Sequence, residues 1–255
     1  MSVSKSLVNE FAPTGRLRAV INVGNPILAG INPETQQPFG VSVDLANELA
    51  KRLGVNAEYT VVDAAGKSVE ALRQNQVDIG FVAIDPSRGE GVSFTPPYVL
   101  IEGWYLVHNE SPLQKNEDVD EPGIRVATCA GSAYDLFLTR EIKRAQIVRA
   151  ATSQQVVDTF IEQRLDVAAG VKQQLEHDAA RIGGLRLLKD RFMVIKQAMA
   201  APRSRSNEVL EYLSAFVEEM KISGFVEHAL ARHNIAGASV APVEYRFDLK
   251  GSGSR

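Results

Sequence analysis

Arg88 is the one permanent positive charge in the loop Asp85-Pro86-Ser87-Arg88-Gly89-Glu90-Gly91, four residues past an apolar run from Ile79 to Ile84. A guanidinium there can grip a carboxylate through two parallel hydrogen bonds. In open α/β sheets, ligands collect outside the carboxyl ends of strands. Taken without its surroundings, the same residue is a solvated loop arginine. Other chemistries find less support. His108, His177, His228 and His233 are scattered without metal-ligand spacing, and His228 and His233 read as surface residues of a C-terminal helix. Gly66-Lys67-Ser68 suggests a phosphate loop, but Val61 stands where that motif needs its first glycine. Cys129 is the only cysteine, which excludes an intrachain disulfide and leaves the compartment unread. No Ser/His/Asp set, metal cluster or cofactor loop is present, so no catalytic residue, metal or cofactor is expected.

The elements that must position Arg88 follow from periodicity. Strands are expected at Leu17–Val23, Asn56–Val62 and Val77–Ile84, alternating with helices at Ser42–Leu53 and Lys67–Gln74. Ser42 is placed to cap the first of those helices, and Gly54 to end it. A second unit follows a charged connection from His108 to Pro122. It has strands at Ile124–Thr128, Gln146–Ala150 and Val167–Gly170, with helices at Ala133–Ala145, Ser153–Gln163 and Lys172–Arg181. Leu185–Leu188 and Phe192–Ala200 add strands, and Ser206–Ile222 and Phe225–His233 read as closing helices. Such alternation argues for parallel-rich α/β sheets. The 255 residues suffice for two lobes of about 100–150 residues each. A net charge of −3, with both signs mixed along the chain, gives no reason to expect nucleic acid. There is no apolar run long enough for a membrane span. Met1–Ser6 lacks the apolar core of an export signal, and Gly251–Arg255 reads as an appended linker outside the fold.

Four segments in order carry a resemblance. They are Gly40-Val41-Ser42-Val43-Asp44-Leu45-Ala46, Asp85-Pro86-Ser87-Arg88 with Phe94-Thr95-Pro96-Pro97-Tyr98 six residues on, Gly131-Ser132-Ala133, and Arg164-Leu165-Asp166-Val167-Ala168. Together they resemble the type II periplasmic solute-binding proteins of family 3, the polar amino-acid binders that feed ABC transporters. The resemblance implies a two-lobed α/β fold, each lobe a mixed sheet flanked by helices, joined by two β crossovers near 99–107 and 193–201. Lobe one would be discontinuous, 1–104 plus 199–250, and lobe two would be 105–198. It further implies that Arg88 holds an α-carboxylate beside Ala83, supported across the cleft by Gly131 and Ser132. Ser132 also begins a helix, where free amides favour an anion, and it can equally be an ordinary cap.

Departures from the family pattern bear on the ligand. Val171 stands where an ammonium-binding aspartate is usual. Asn25 and Ala65 occupy the positions of two aromatic residues, and Ala133 replaces a second hydroxyl. A buried ammonium without a partner is costly, so Glu102 and Asp85 are substitute acids. Against that, Glu102 is readable as a solvated hinge residue and Asp85 as a cap of the Ser87 turn. The function implied is non-enzymatic. A small carboxylate-bearing solute, an amino acid or related organic acid, is bound by hinge closure and passed to a membrane permease by a periplasmic monomer. Two alternatives stand beside it: a cyclohexadienyl dehydratase-like enzyme using Glu102 as general acid, and a stand-alone ligand-sensing domain.

Overall fold

The computed structural model describes residues 3–24 and 26–244. The first half of the chain gives α1 (Lys5–Phe11), β1 (Arg16–Asn22), a small hairpin of β2 (Gly30–Ile31) and β3 (Pro38–Phe39), α2 (Val41–Leu53), β4 (Asn56–Val62), α3 (Ala65–Arg73), β5 (Ile79–Ala83) and the long β6 (Val92–His108). Then follow β7 (Arg125–Cys129), α4 (Ala133–Glu141), β8 (Gln146–Ala150), α5 (Val156–Glu162), β9 (Val167–Val171), α6 (Lys172–Ile182) and β10 (Leu185–Leu187). The chain closes with β11 (Met193–Pro202), α7 (Asn207–Ile222), α8 (Phe225–Arg232) and β12 (Ala238–Val240).

Apart from β2 and β3, which pair only with each other, the strands form one sheet in the order β4-β1-β5-β11-β6-β9-β7-β8, with β10 and β12 also on β6. The triplets β4-β1-β5 and β9-β7-β8 are parallel, and the antiparallel pair β6 and β11 joins them. The two lobes therefore share a hydrogen-bonded spine instead of owning separate sheets. β6 spans 17 residues and contains Pro96 and Pro97, which cannot donate to a ladder. The register against β11 shifts there, between Gln197 and Ala200. Thr95 compensates: its hydroxyl donates to the Met199 carbonyl and accepts from the Met199 amide, both at 3.1 Å.

Burial follows the two triplets. Leu17, Ile21, Leu45, Leu49, Tyr98 and Phe216 pack in the core of the first lobe, whereas Leu106, Phe160 and Leu175 pack in the second. Tyr134 crosses this division, since its helix belongs with β7 but its ring joins the first core. Two sets of buried charges are paired. Asp78 receives Arg18 at 2.8 Å and Arg205 at 2.6 Å, tying β5 to β1 and to the turn before α7. Lys221 is buried beside Glu218 at 2.8 Å and donates to the Pro97 and Pro242 carbonyls, which clamps α7 on β6.

Local details depart from the expected ones. Gly40, at φ 120°, precedes the first turn of α2, and Ser42 lies inside the helix, buried, without capping it. A side chain at Gly40 would meet the Leu28 carbonyl at 2.5 Å, so the backbone itself makes that entry. His233 is no solvated residue: its Nε2 lies 2.8 Å from the Asp44 carboxylate. Asn25 and the tail 251–255 lie outside the described residues.

Candidate functional site

Strands β1, β5, β7 and β9 end on a common crevice, and the amino ends of α2, α4 and α6 face it. The crevice encloses a cavity of about 320 Å³ lined by both lobes. Its first wall carries Leu28, Ser42, Phe81, Ala83 and Arg88. Its second carries Ser132, Ala133, Tyr134, Val171 and Gln173, and Ile195 and Gln197 of β11 lie between.

Arg88 reaches this cavity because Asp85 turns the chain. The Asp85 carboxylate accepts from the Ser87 amide at 2.9 Å and the Ser87 hydroxyl at 2.7 Å, making a single helical turn that points Arg88 inward. Arg88 is 4% exposed. Its guanidinium donates to the Ala83 carbonyl at 3.2 Å and to the Gly131 carbonyl at 2.9 Å. Among the described residues no carboxylate lies within ion-pair distance of it. Burial pulls its pKa below the ordinary arginine value, and the Arg73 charge adds to that, while Asp85 opposes. Arginine remains charged in proteins even so, which leaves a cation with fork geometry buried at the cavity wall.

Opposite it, α4 starts at Ser132, whose hydroxyl accepts from the Asp135 amide at 3.2 Å. The Gly131 amide is not available to a ligand, because it donates to the Asp135 carboxylate at 2.9 Å, and the Ser132 amide donates to the Cys129 carbonyl. The donors left at this helix end are the Ala133 and Tyr134 amides of its first turn, which have no intrahelical partner. The Ser132 hydroxyl also keeps its own proton to give. The sequence pointed to this loop through Gly131 and Ser132, whose amides have partners within the protein. For Gly131 the partner is Asp135, whose carboxylate turns back over it while held by Arg149 at 2.9 Å.

The two substitute acids are elsewhere. Asp85 does not line the cavity; it caps the Ser87 turn and pairs across the cleft with Arg140 at 2.9 Å. Burial raises its pKa, but the Ser87 donors and Arg140 together outweigh that and hold it below the usual carboxylate range. Glu102 also lies outside the lining. Arg191 donates to it at 2.6 Å and the Trp104 indole at 3.1 Å, and these two hold its carboxyl low. Val171 does line the cavity, as the residue before the first turn of α6 and without a side-chain cap. Ala65 is present at the rim beside Asp63 and Ala64. Sequence reasoning missed Tyr134, Gln173 and Gln197. Gln197 lies in a strand that reads as hinge, and Tyr134 carries no motif signal.

The fold matches solved structures at low sequence identity. A mutant of ArgBP from T. maritima superposes with a TM-score of 0.73 at 20% identity, covering 89% of this chain and 99% of that one. A binding component of an ABC transporter from Wolinella succinogenes, complexed with lysine, gives 0.71 at 22% identity over 86% and 95% of the two chains. The ancestral amino-acid-binding protein AncCDT-1, described as a precursor of cyclohexadienyl dehydratase, gives 0.72 at 20% over 88% and 97%. Residues 20–234 match the family model of the bacterial extracellular solute-binding proteins, family 3. With the two-lobed fold, the interlobe cavity and that match in place, the chain belongs to the bacterial extracellular solute-binding proteins of family 3.

Proposed function

We propose that this protein captures a small carboxylate-bearing solute between its lobes and delivers it to the permease of an ABC transporter, working outside the cytoplasmic membrane as a monomer. Lobe one comprises 1–104 with 199–250, of which 3–24, 26–104 and 199–244 are among the described residues, lobe two comprises 105–198, and β6 and β11 form the hinge. Arg88 carries this reading. A buried guanidinium in an interlobe cavity, bonded to two backbone carbonyls and to no carboxylate among the described residues, is suited to an anion that arrives and leaves. The Ala133 and Tyr134 amides and the Ser132 hydroxyl face the same space, so the ligand gains contacts from both lobes only when they close. That is the condition for a ligand to shift a conformational equilibrium. The solved relatives complexed with lysine or named for arginine support a ligand of amino-acid size.

An elimination catalyst on this scaffold would need a protonated acid beside the clamp. Glu102 is ionised, paired with Arg191 and outside the cavity, which favours binding over chemistry. The test is a thermal-shift screen of small carboxylates against the wild type and Arg88→Ala. Stabilisation of the wild type alone supports the proposal, and equal stabilisation of both defeats it.

A further inference from the structure

The charges around the cleft are unevenly distributed. Arg88 and Asp63 are the ionisable aspartate, glutamate, lysine and arginine side chains lining the cavity among the described residues. They are not equivalent. Arg88 is buried, while the Asp63 side chain is 64% exposed at the rim and paired with Lys67 at 2.6 Å. The other nearby carboxylates are occupied by the protein's own cations: Asp85 by Arg140, Glu102 by Arg191 and Asp135 by Arg149. The carbonyls closest to the clamp, Ala83 and Gly131, already accept from Arg88.

The backbone adds to the same imbalance. Helices α2, α4 and α6 present their amino ends to the cavity through Ser42, through Ala133 and Tyr134, and through Gln173 and Gln174. Each such end carries partial positive charge. The remaining polar lining is neutral. The Tyr134 hydroxyl and the Gln173 side-chain oxygen are buried without a hydrogen-bond partner among the described residues, and Gln154 and Gln197 also line the space. The rest is apolar, including Leu28, Phe81, Leu175 and Ile195.

Granting the carboxylate site proposed above, we infer that its ligand has no cationic group and is a 2-hydroxy or 2-oxo acid, or a similar carboxylate with a neutral polar group, instead of an α-amino acid. A zwitterion would bring an ammonium into a cavity that supplies positive helix ends and a guanidinium but no buried anion. A hydroxyl or carbonyl at the same carbon makes no such demand and can meet Tyr134 or the neighbouring amides. Val171 is the point at which the balance can be changed. It lines the cavity at the uncapped start of α6, and aspartate is a favourable residue there, so Val171→Asp adds an anion while supporting the helix.

The experiment is calorimetry on matched trios, each an L-amino acid with its 2-hydroxy and 2-oxo analogues, for the alanine, leucine, phenylalanine, glutamine and arginine side chains. Wild type, Val171→Asp and Arg88→Ala are compared. In the wild type, the tightest-binding trio favours a deaminated member by about tenfold or more, as expected when an unpaired buried charge is avoided. Val171→Asp moves that preference toward the amine by about tenfold, and Arg88→Ala weakens binding of every member by about 100-fold. An amino acid that binds the wild type more tightly than both analogues, and is weakened by more than about threefold in Arg88→Ala, overturns this inference and leaves the carboxylate site standing. If no trio binds, or if affinity in Arg88→Ala stays within about threefold of the wild type, the carboxylate site itself falls and the inference with it.

Discussion

Arg88 spans the cleft: it leaves the first lobe after β5, and its guanidinium donates to the Gly131 carbonyl at the start of α4, 2.9 Å away. One side chain is thus both the ligand clamp of the proposed site and an observed contact between lobes. A bound carboxylate competes for the same donors that hold the lobes together without it.

Arg88→Ala is expected to weaken ligand binding by about 100-fold, as for loss of a desolvated charge-assisted pair. The melting temperature of the unliganded protein stays within a few degrees, because the residue sits in a cleft loop outside the packed core. Calorimetry and thermal melts give both numbers. Retention of binding within about threefold contradicts the assignment.

Glu102→Gln is expected to leave ligand affinity within about twofold, since the carboxylate faces Arg191 and not the cavity. A tenfold loss measured by titration would mean that the hinge carboxylate communicates with the ligand after all.

Asp85 and Arg140 form the second bridge across the cleft. A double-mutant cycle with Asp85→Asn and Arg140→Gln is expected to give a coupling of about 0.5–1 kcal/mol, modest because Arg140 is half exposed. The pH dependence has a definite sign. The folded pKa of Asp85 is depressed, so its contribution is present above the unfolded value of about 3.9 and is lost as pH falls through the folded one. Melting curves from pH 7 to pH 3 should show the wild type losing its advantage over Asp85→Asn only at the acid end.

Gly103→Ala is expected to destabilise by about 1–3 kcal/mol, the range for an overpacked site. Its added methyl would lie 2.6 Å from the Tyr134 ring and 2.9 Å from Met193. Chemical denaturation measures the loss, and Gly103→Ala should cost less in a Tyr134→Ala background than in the wild type.

Strand and helix positions were legible because they depend on neighbours in sequence. Asn56–Val62 and Gln146–Ala150 are β4 and β8 to the residue, and Gly54 ends α2 at φ 70°. The short strands β2, β3 and β12 were not legible, since two or three residues carry no period. The partners of the candidate acids were hidden for another reason. Asp85 meets Arg140 across 55 residues of chain, and Glu102 meets Arg191 across 89. Charge pairing at such separations is decided by the packed fold, and no local pattern announces it. Gly131 is a smaller case of the same kind, its amide donating to Asp135 only four residues on.

The shared spine also sets an order of assembly during synthesis. Strands β7, β8 and β9 leave the ribosome in one stretch and find β6 already made, so their half of the sheet can be completed early. β5 has no second neighbour until β11 is translated, and β6 waits for α7 and β12 to cover it. Until then the amino-terminal half presents unpaired strand edges, the feature that invites association with other chains. The binding cleft is therefore among the last parts of the molecule to form, although Arg88 is among the first of its residues to be made.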